Sequence, residues 1–370
     1  MAIEPAFGQR TRQRVLDEYL QTAGTITAPN AWEHVYHTLL WMDERTQLAH
    51  IYDANHMQRG GNFYARAVRF TDLLCQHFGV SRAKLGDHVD YLFRGCIREL
   101  LERENASPEA GAATAADLAE QEETEAAGVD LDESAFLADI TALLQDAGLT
   151  PDQAAALGRE IDQRARTFFT LGNKRQNVLG EGFEDLLTTL LQRVANVPAT
   201  RIRIRTNVAD LPGFRKAAPV PGLRGRTERL PKPDIAIIDE AHTCAIVTAK
   251  WSMRQDRETQ FTREYSAYSR MKLQTQDIDF FLLTNEFDVA RLDNVARAQP
   301  GNVGGYLFHT IYHVNADLLR ETQGNQIGPV GGWIQAGKIA SLEDFLTHMA
   351  ASYGSGPATG SPPSGRSRRR

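Results

Sequence analysis

The stretch that most constrains this chain runs from Pro233 to Tyr268. Asp234 opens a short apolar run, Ile235–Ile238. A polar turn at Asp239-Glu240 follows, and then a second apolar run, Ala245–Ala249, that closes on Lys250. Short runs rich in β-branched residues and bounded by turn residues read as buried strands. Joined so closely, the two must form a hairpin, with a charged residue at one end of each. Without pause the second strand leads into Trp251-Ser-Met-Arg-Gln-Asp-Arg257. A polar helix should begin after Arg257 and carry Glu264, Tyr265 and Tyr268.

A chain of 370 residues exceeds one average domain, so two domains with tails are expected. A net charge of −6 looks unsuited to an anionic partner. The average hides its distribution, however. From Glu104 to Glu133 acids abound and neither lysine nor arginine occurs, so the remainder of the chain is mildly basic. That segment, 104–133, is Ala/Glu-rich and poor in large apolar residues, and reads as a linker or exposed insertion. Residues 1–103 read as a helical N-terminal domain, 134–350 as the main domain with its core at about 170–320, and 351–370 as a disordered basic tail. Cys75, Cys96 and Cys244 show no Cys-x-x-Cys spacing and read as reduced thiols of a cytoplasmic protein. No window approaches the ~18 apolar residues that cross a membrane, and the N-terminus lacks a signal pattern.

Within the first segment, apolar residues recur at helical spacing around Val15 to Leu20 and Trp32 to Leu40. Further helices are expected from Phe63 to Phe78 and, capped by Ser81, through Leu92 and Ile97 to Leu101. A helix through Leu157, Ile161 and Phe168 follows Pro151, and another should open at Gly180 and carry Glu184. Arg201 to Arg205 alternates strictly and reads as a strand with Arg201, Arg203 and Arg205 on one face. The Pro/Gly/Arg-rich loop that follows, with Arg224 and Arg226, is of a length usually tied to function. Its charge, like that of the arginine face, suits a phosphate backbone. Ile278–Leu283 and Gly305–Tyr312 read as strands, Val289–Ala298 and Leu342–Met349 as helices. The fold class is α/β: a central mixed sheet flanked by helices, preceded by an all-helical N-terminal domain.

Carboxylates and an amine gathered at strand ends suit metal-assisted attack on a phosphodiester. A bound divalent ion polarises the phosphoryl oxygen and activates water, and Mg²⁺ needs only two or three carboxylates because it keeps several waters. Asp234 and Glu264 are the first choices, with Glu184 to complete the set and Glu181 as its rival. Lys250 can stabilise developing charge or position the water. Arg254 and Arg257, with Asp256 between them, carry the donors that bond guanine O6 and N7 and the acceptor that takes a cytosine amine. The bland alternative for that cluster is a surface salt bridge.

These residues resemble a known family. Asp234, then Thr248-Ala249-Lys250, is similar to the PD-(D/E)XK nuclease signature, with threonine in place of serine. Glu264 follows Lys250 by fourteen residues, as does the displaced acid in one variant of that signature. Arg254-Gln255-Asp256-Arg257 resembles the Arg-x-Asp-Arg element of type II restriction endonucleases that cut sites with a CCGG core, the NgoMIV/BsaWI/AgeI group. The resemblance covers roughly residues 170–320. It implies a PD-(D/E)XK restriction-endonuclease-like core and a Mg²⁺-dependent bacterial enzyme that cleaves double-stranded DNA. Asp234, Lys250 and Glu264 would be catalytic, Glu184 an accessory acid, and Arg254, Asp256 and Arg257 the readers of G·C pairs. It further implies a homodimer or a tetramer of dimers, a cut before the first cytosine with 5′ overhangs, and a cognate DNA methyltransferase in the host. A palindromic site by itself calls for a two-fold protein. The competing readings are a nuclease of the same superfamily in DNA repair or mobile-element processing, with no fixed site, and a catalytically inactive DNA-binding relative.

Overall fold

The computed structural model describes residues 5–40, 59–60, 64–89, 91–106, 133–216, 230–253, 257–273, 278–300 and 305–355. Most of the acidic segment, most of the tail, the polar stretch around His50 and His56, and Arg224 and Arg226 lie outside them. The chain forms two compact units. One comprises Met1–Thr22 and Asp90–Gly182, the other Ala23–Val89 and Phe183–Arg370. This division cuts across the 1–103 segment, because the helices Ala31–Leu39, Tyr64–Phe78 and Arg82–His88 belong with the sheet.

In the first unit the helices Gln9–Thr22 and Tyr91–Ala106 pack closely. Phe7 meets Phe93 and Tyr19 meets Tyr91 at ring-centroid distances of 5.8 and 5.1 Å. Their crossing depends on Gly95, since a Cβ there would lie 2.4 Å from Val15 Cγ1. The single helix expected from Ser81 to Leu101 is two. Val89 is extended, at φ −109° and ψ 171°, and ends the first of them.

A longer departure concerns Gly180. The helix does not open there but runs unbroken from Pro151 to Arg193. A helix-interior glycine costs only about 1 kcal/mol relative to alanine. The residues on either side of Gly180 and Gly182 continue the hydrogen-bond ladder, so neither glycine stops it.

The second unit is built on one mixed six-stranded sheet in the order β1 to β6: Ile202–Ile204, Ile235–Ile238, Thr243–Lys250, Asp279–Thr284, Thr310–His313 and Ile339–Ser341. The first three are antiparallel neighbours and the last four run parallel. The expected hairpin is β2–β3. Its turn is held by Asp239, whose Oδ1 accepts from the N–H groups of Ala241 and His242. Strands covered on both faces read as continuous apolar runs, and β4 shows why. Phe280 meets Tyr265 and Tyr268 of the helix Arg257–Met271, while Phe281 meets His348 of the helix Leu342–Tyr353 on the opposite face. Tyr268 also joins a core cluster with Ala236, Ile238, Ile246 and Ile278. A mixed sheet with flanking helices and a helical N-terminal region is the α/β architecture expected from the sequence. Among the described residues no helix is long and apolar enough to cross a membrane.

Candidate active site

The hairpin register brings Asp234 to Lys250. Ile235 pairs with Val247, so the residue preceding β2 lies beside the end of β3. Asp234 Oδ2 accepts from Lys250 Nζ at 2.7 Å and from the Ala249 backbone N–H at 2.8 Å. Side chains alternate along a strand, so Asp234 shares a sheet face with Ala236 and Ile238, and Lys250 with Ile246. That is the face covered by the helix Arg257–Met271, through the cluster that contains Tyr268. Both charged groups are mostly buried, with 15% of the Asp234 side chain and 21% of the Lys250 side chain exposed.

Glu184 joins them from the long helix. Burial first, and then the negative charge of Asp234, lifts its pKa to about 7, against the pull of Arg205 and Lys250. Two carboxylates near enough to oppose each other's ionisation share one site. Arg205 compensates Glu184 and its neighbour Asp185, with Nε on Glu184 Oε2 at 2.5 Å and Nη2 on Asp185 Oδ1 at 3.2 Å. It reaches them from just past β1 through a left-handed backbone, φ 48°, a conformation that costs roughly 1–2 kcal/mol outside glycine. Its own N–H donates to Asp234 O at 3.1 Å, which continues the β1–β2 pairing by one bond and offsets that cost.

Glu264 lies on the helix Arg257–Met271, as expected, and accepts from Gln260 Nε2 at 2.7 Å on the same helix. Tyr268, one turn further along, ties it electrostatically to the hairpin: burial raises the phenol, and the charges of Glu264 and Asp234 raise it further. Glu264 is not gathered with Asp234 and Glu184 into one ligand group. Among the described residues no three His, Cys, Asp or Glu side chains form a group that could hold a metal ion. A hard divalent cation that keeps most of its waters needs only one or two carboxylates. Asp234 and Glu184 supply those two, so the donor chemistry fits Mg²⁺.

Glu181, the rival for the accessory place, pairs with Arg12 within the first unit, and Glu184 is the acid whose charge interacts with Asp234. Of the arginine face, only Arg203 falls within the three-residue strand, and its Nη1 bonds the carbonyls of Thr200 and Ile202. Arg201 donates to Ile238 O and Tyr353 O, at 2.9 and 3.1 Å. Arg205 is the arginine that turns inward to the carboxylates. Arg254 and Asp256 lie outside the described residues, and Arg257 begins the helix that carries Glu264. The residues that sequence reasoning passed over are Asp185 and, beyond β4, Glu286. The signal for Asp185 was its place beside Glu184, and Glu286 lay in a polar knuckle straight after a buried strand.

No family model matches the chain, and no curated protein matches it. Among solved structures it is similar to one described as a restriction endonuclease PspGI–substrate DNA complex. The identity is 13%, the alignment covers 77% of this chain and 91% of that one, and the TM-score is 0.29. A likeness this slight carries no argument, and the reading of the site rests on the site's own geometry.

Proposed function

We propose that this chain is a type II restriction endonuclease that hydrolyses both strands of double-stranded DNA at a palindrome with a CCGG core. The observation that carries the reading is the Asp234–Lys250 pair at the ends of neighbouring strands, with Glu184 drawn to the same point. Asp234 and Glu184 would hold Mg²⁺, which when bound polarises the phosphoryl oxygen and lowers the pKa of the attacking water. Lys250 supplies an ammonium whose aspartate partner fixes its position, ready to stabilise charge on the phosphate or to orient the water. Arg205, held on Glu184 and Asp185, opposes the effect of the Asp234 charge on Glu184. Glu264, one turn from Tyr268, would act as the further acid on the helix side of the site.

Reading is assigned to Arg254, Asp256 and Arg257, which follow Lys250 after Trp251-Ser252-Met253. Each arginine fork can take guanine O6 and N7 together, and the aspartate can accept from cytosine N4. A palindrome read in this way calls for a homodimer, or a tetramer built from dimers. The cut falls before the first cytosine and leaves 5′ overhangs, and a cognate methyltransferase protects the host. The test is digestion of plasmids with and without CCGG in Mg²⁺. Discrete fragments from the CCGG-containing plasmid alone support the proposal. A smear, or cleavage of both plasmids alike, supports a nuclease without a fixed site, and binding without cutting supports an inactive relative.

A further inference from the structure

Between Lys250 and the reading residues the chain crosses the end of β4, and it is fastened there. Lys250 pairs with Thr284, the last residue of β4, so the knuckle Thr284-Asn285-Glu286 stands directly beside the outgoing Trp251-Ser252-Met253. Asn285 N–H donates to Trp251 O at 2.9 Å, and Thr284 Oγ1 lies 3.5 Å from the same oxygen. Glu286 Oε2 accepts from Met253 N–H at 2.8 Å, while Oε1 accepts from Asp288 N–H at 2.8 Å. Thr284, Asn285 and Glu286 have no exposed surface. The Trp251 indole is also clamped, edge-on between Phe183 and Tyr36, and Tyr36 Oη donates to Asn285 Oδ1 at 2.8 Å.

We propose that Glu286 is a positioning residue for sequence discrimination: its carboxylate fixes Met253, and so sets where the chain departs from Lys250 toward Arg254. A buried carboxylate is a poor way to stabilise a core, because apolar groups of the same volume usually do as well or better. Glu286 makes sense as a main-chain anchor. The Met253 amide has left the sheet, so it needs an acceptor that no strand supplies. The carboxylate gives that acceptor while its second oxygen and Arg291, 3.5 Å away, fix the carboxylate itself. The backbone at Met253, the step before Arg254, is then held by one fully buried side chain.

This inference rests on the nuclease reading above, and its test separates the two. The rate ratio kcat/KM for a CCGG duplex over duplexes with one substituted base pair is measured for the full chain and for Glu286→Gln and Glu286→Ala. The ratio should fall at least tenfold in Glu286→Ala and less in Glu286→Gln, which keeps one acceptor. Over the same series kcat on the CCGG site should fall by less. Proportional loss on every duplex, with the ratio unchanged, would overturn the proposal. Hydrogen exchange on the unsubstituted chain gives a measurement that needs neither cleavage nor a folded variant. The Met253 amide should exchange as slowly as the amides of β3 and β4, and exchange at the rate of an exposed loop would also overturn it. Should the chain cut no DNA, the nuclease reading fails while the exchange result still decides the anchoring.

Discussion

Lys250 and Asp234 neutralise each other at the end of a hairpin, and what each contributes can be separated by removing one. Asp234→Ala and Lys250→Ala should each abolish cleavage, with a loss of at least ~10²–10³ in rate for a group that stabilises transition-state charge. Sequence-specific binding in Ca²⁺ should largely persist in both, as gel shifts with a CCGG duplex would register. Normal cutting by either variant would show that the site is misassigned. Arg254→Ala belongs to the other function. It should relax discrimination at one guanine by ~1–3 kcal/mol, read as a narrowed affinity gap between CCGG and substituted duplexes. Equal weakening on all sequences would make Arg254 a phosphate contact. At this scale the sequence was informative about Asp234 and Lys250, because a short hairpin fixes which residues stand side by side. It was silent about Arg205 against Glu184 and about Glu286 on Met253, since those meetings depend on how distant segments pack.

At the scale of elements, the β4–β5 pair carries its own pH dependence. His313 ends β5 opposite Thr284 and is fully buried. Asn315 N–H donates to its Nδ1, so the neutral ring carries its proton on Nε2 and donates it to Glu286 O at 3.0 Å. Burial lowers its pKa to about 4 from an ordinary 6.5. A depressed folded-state value means that the neutral ring's contribution is fully present above pH 6.5 and is lost as pH falls toward 4, on the order of 3 kcal/mol in all. Urea unfolding at pH 7 and pH 4.5 should show this loss in the unsubstituted chain and a shallower one in His313→Asn. Equal losses would place the acid sensitivity elsewhere. The elements themselves were legible where pattern was strong, as in the β2–β3 hairpin, β4 and the helix Arg257–Met271. Ile339–Ser341 was too short to carry a period. The continuity of the helix through Gly180 was hidden because glycine is a frequent stop signal and only tertiary context reveals when it is overridden.

For the whole molecule, symmetry is the strongest constraint that the proposed function imposes. One copy of the hairpin site can address one strand, so cutting a palindrome on both strands calls for two copies about a two-fold axis. Sedimentation with a CCGG duplex should give a complex holding at least two chains of 41.1 kDa each. A complex with one chain per duplex would leave double-strand cleavage without a second site. The central claim, that cutting and reading are adjacent in one segment from Asp234 to Glu264, is tested most directly by sequencing the ends left when a whole genome is digested in Mg²⁺. The ends should fall at CCGG, before the first cytosine, with four-base 5′ overhangs and the same cut on both strands. Ends scattered without a common core would contradict it.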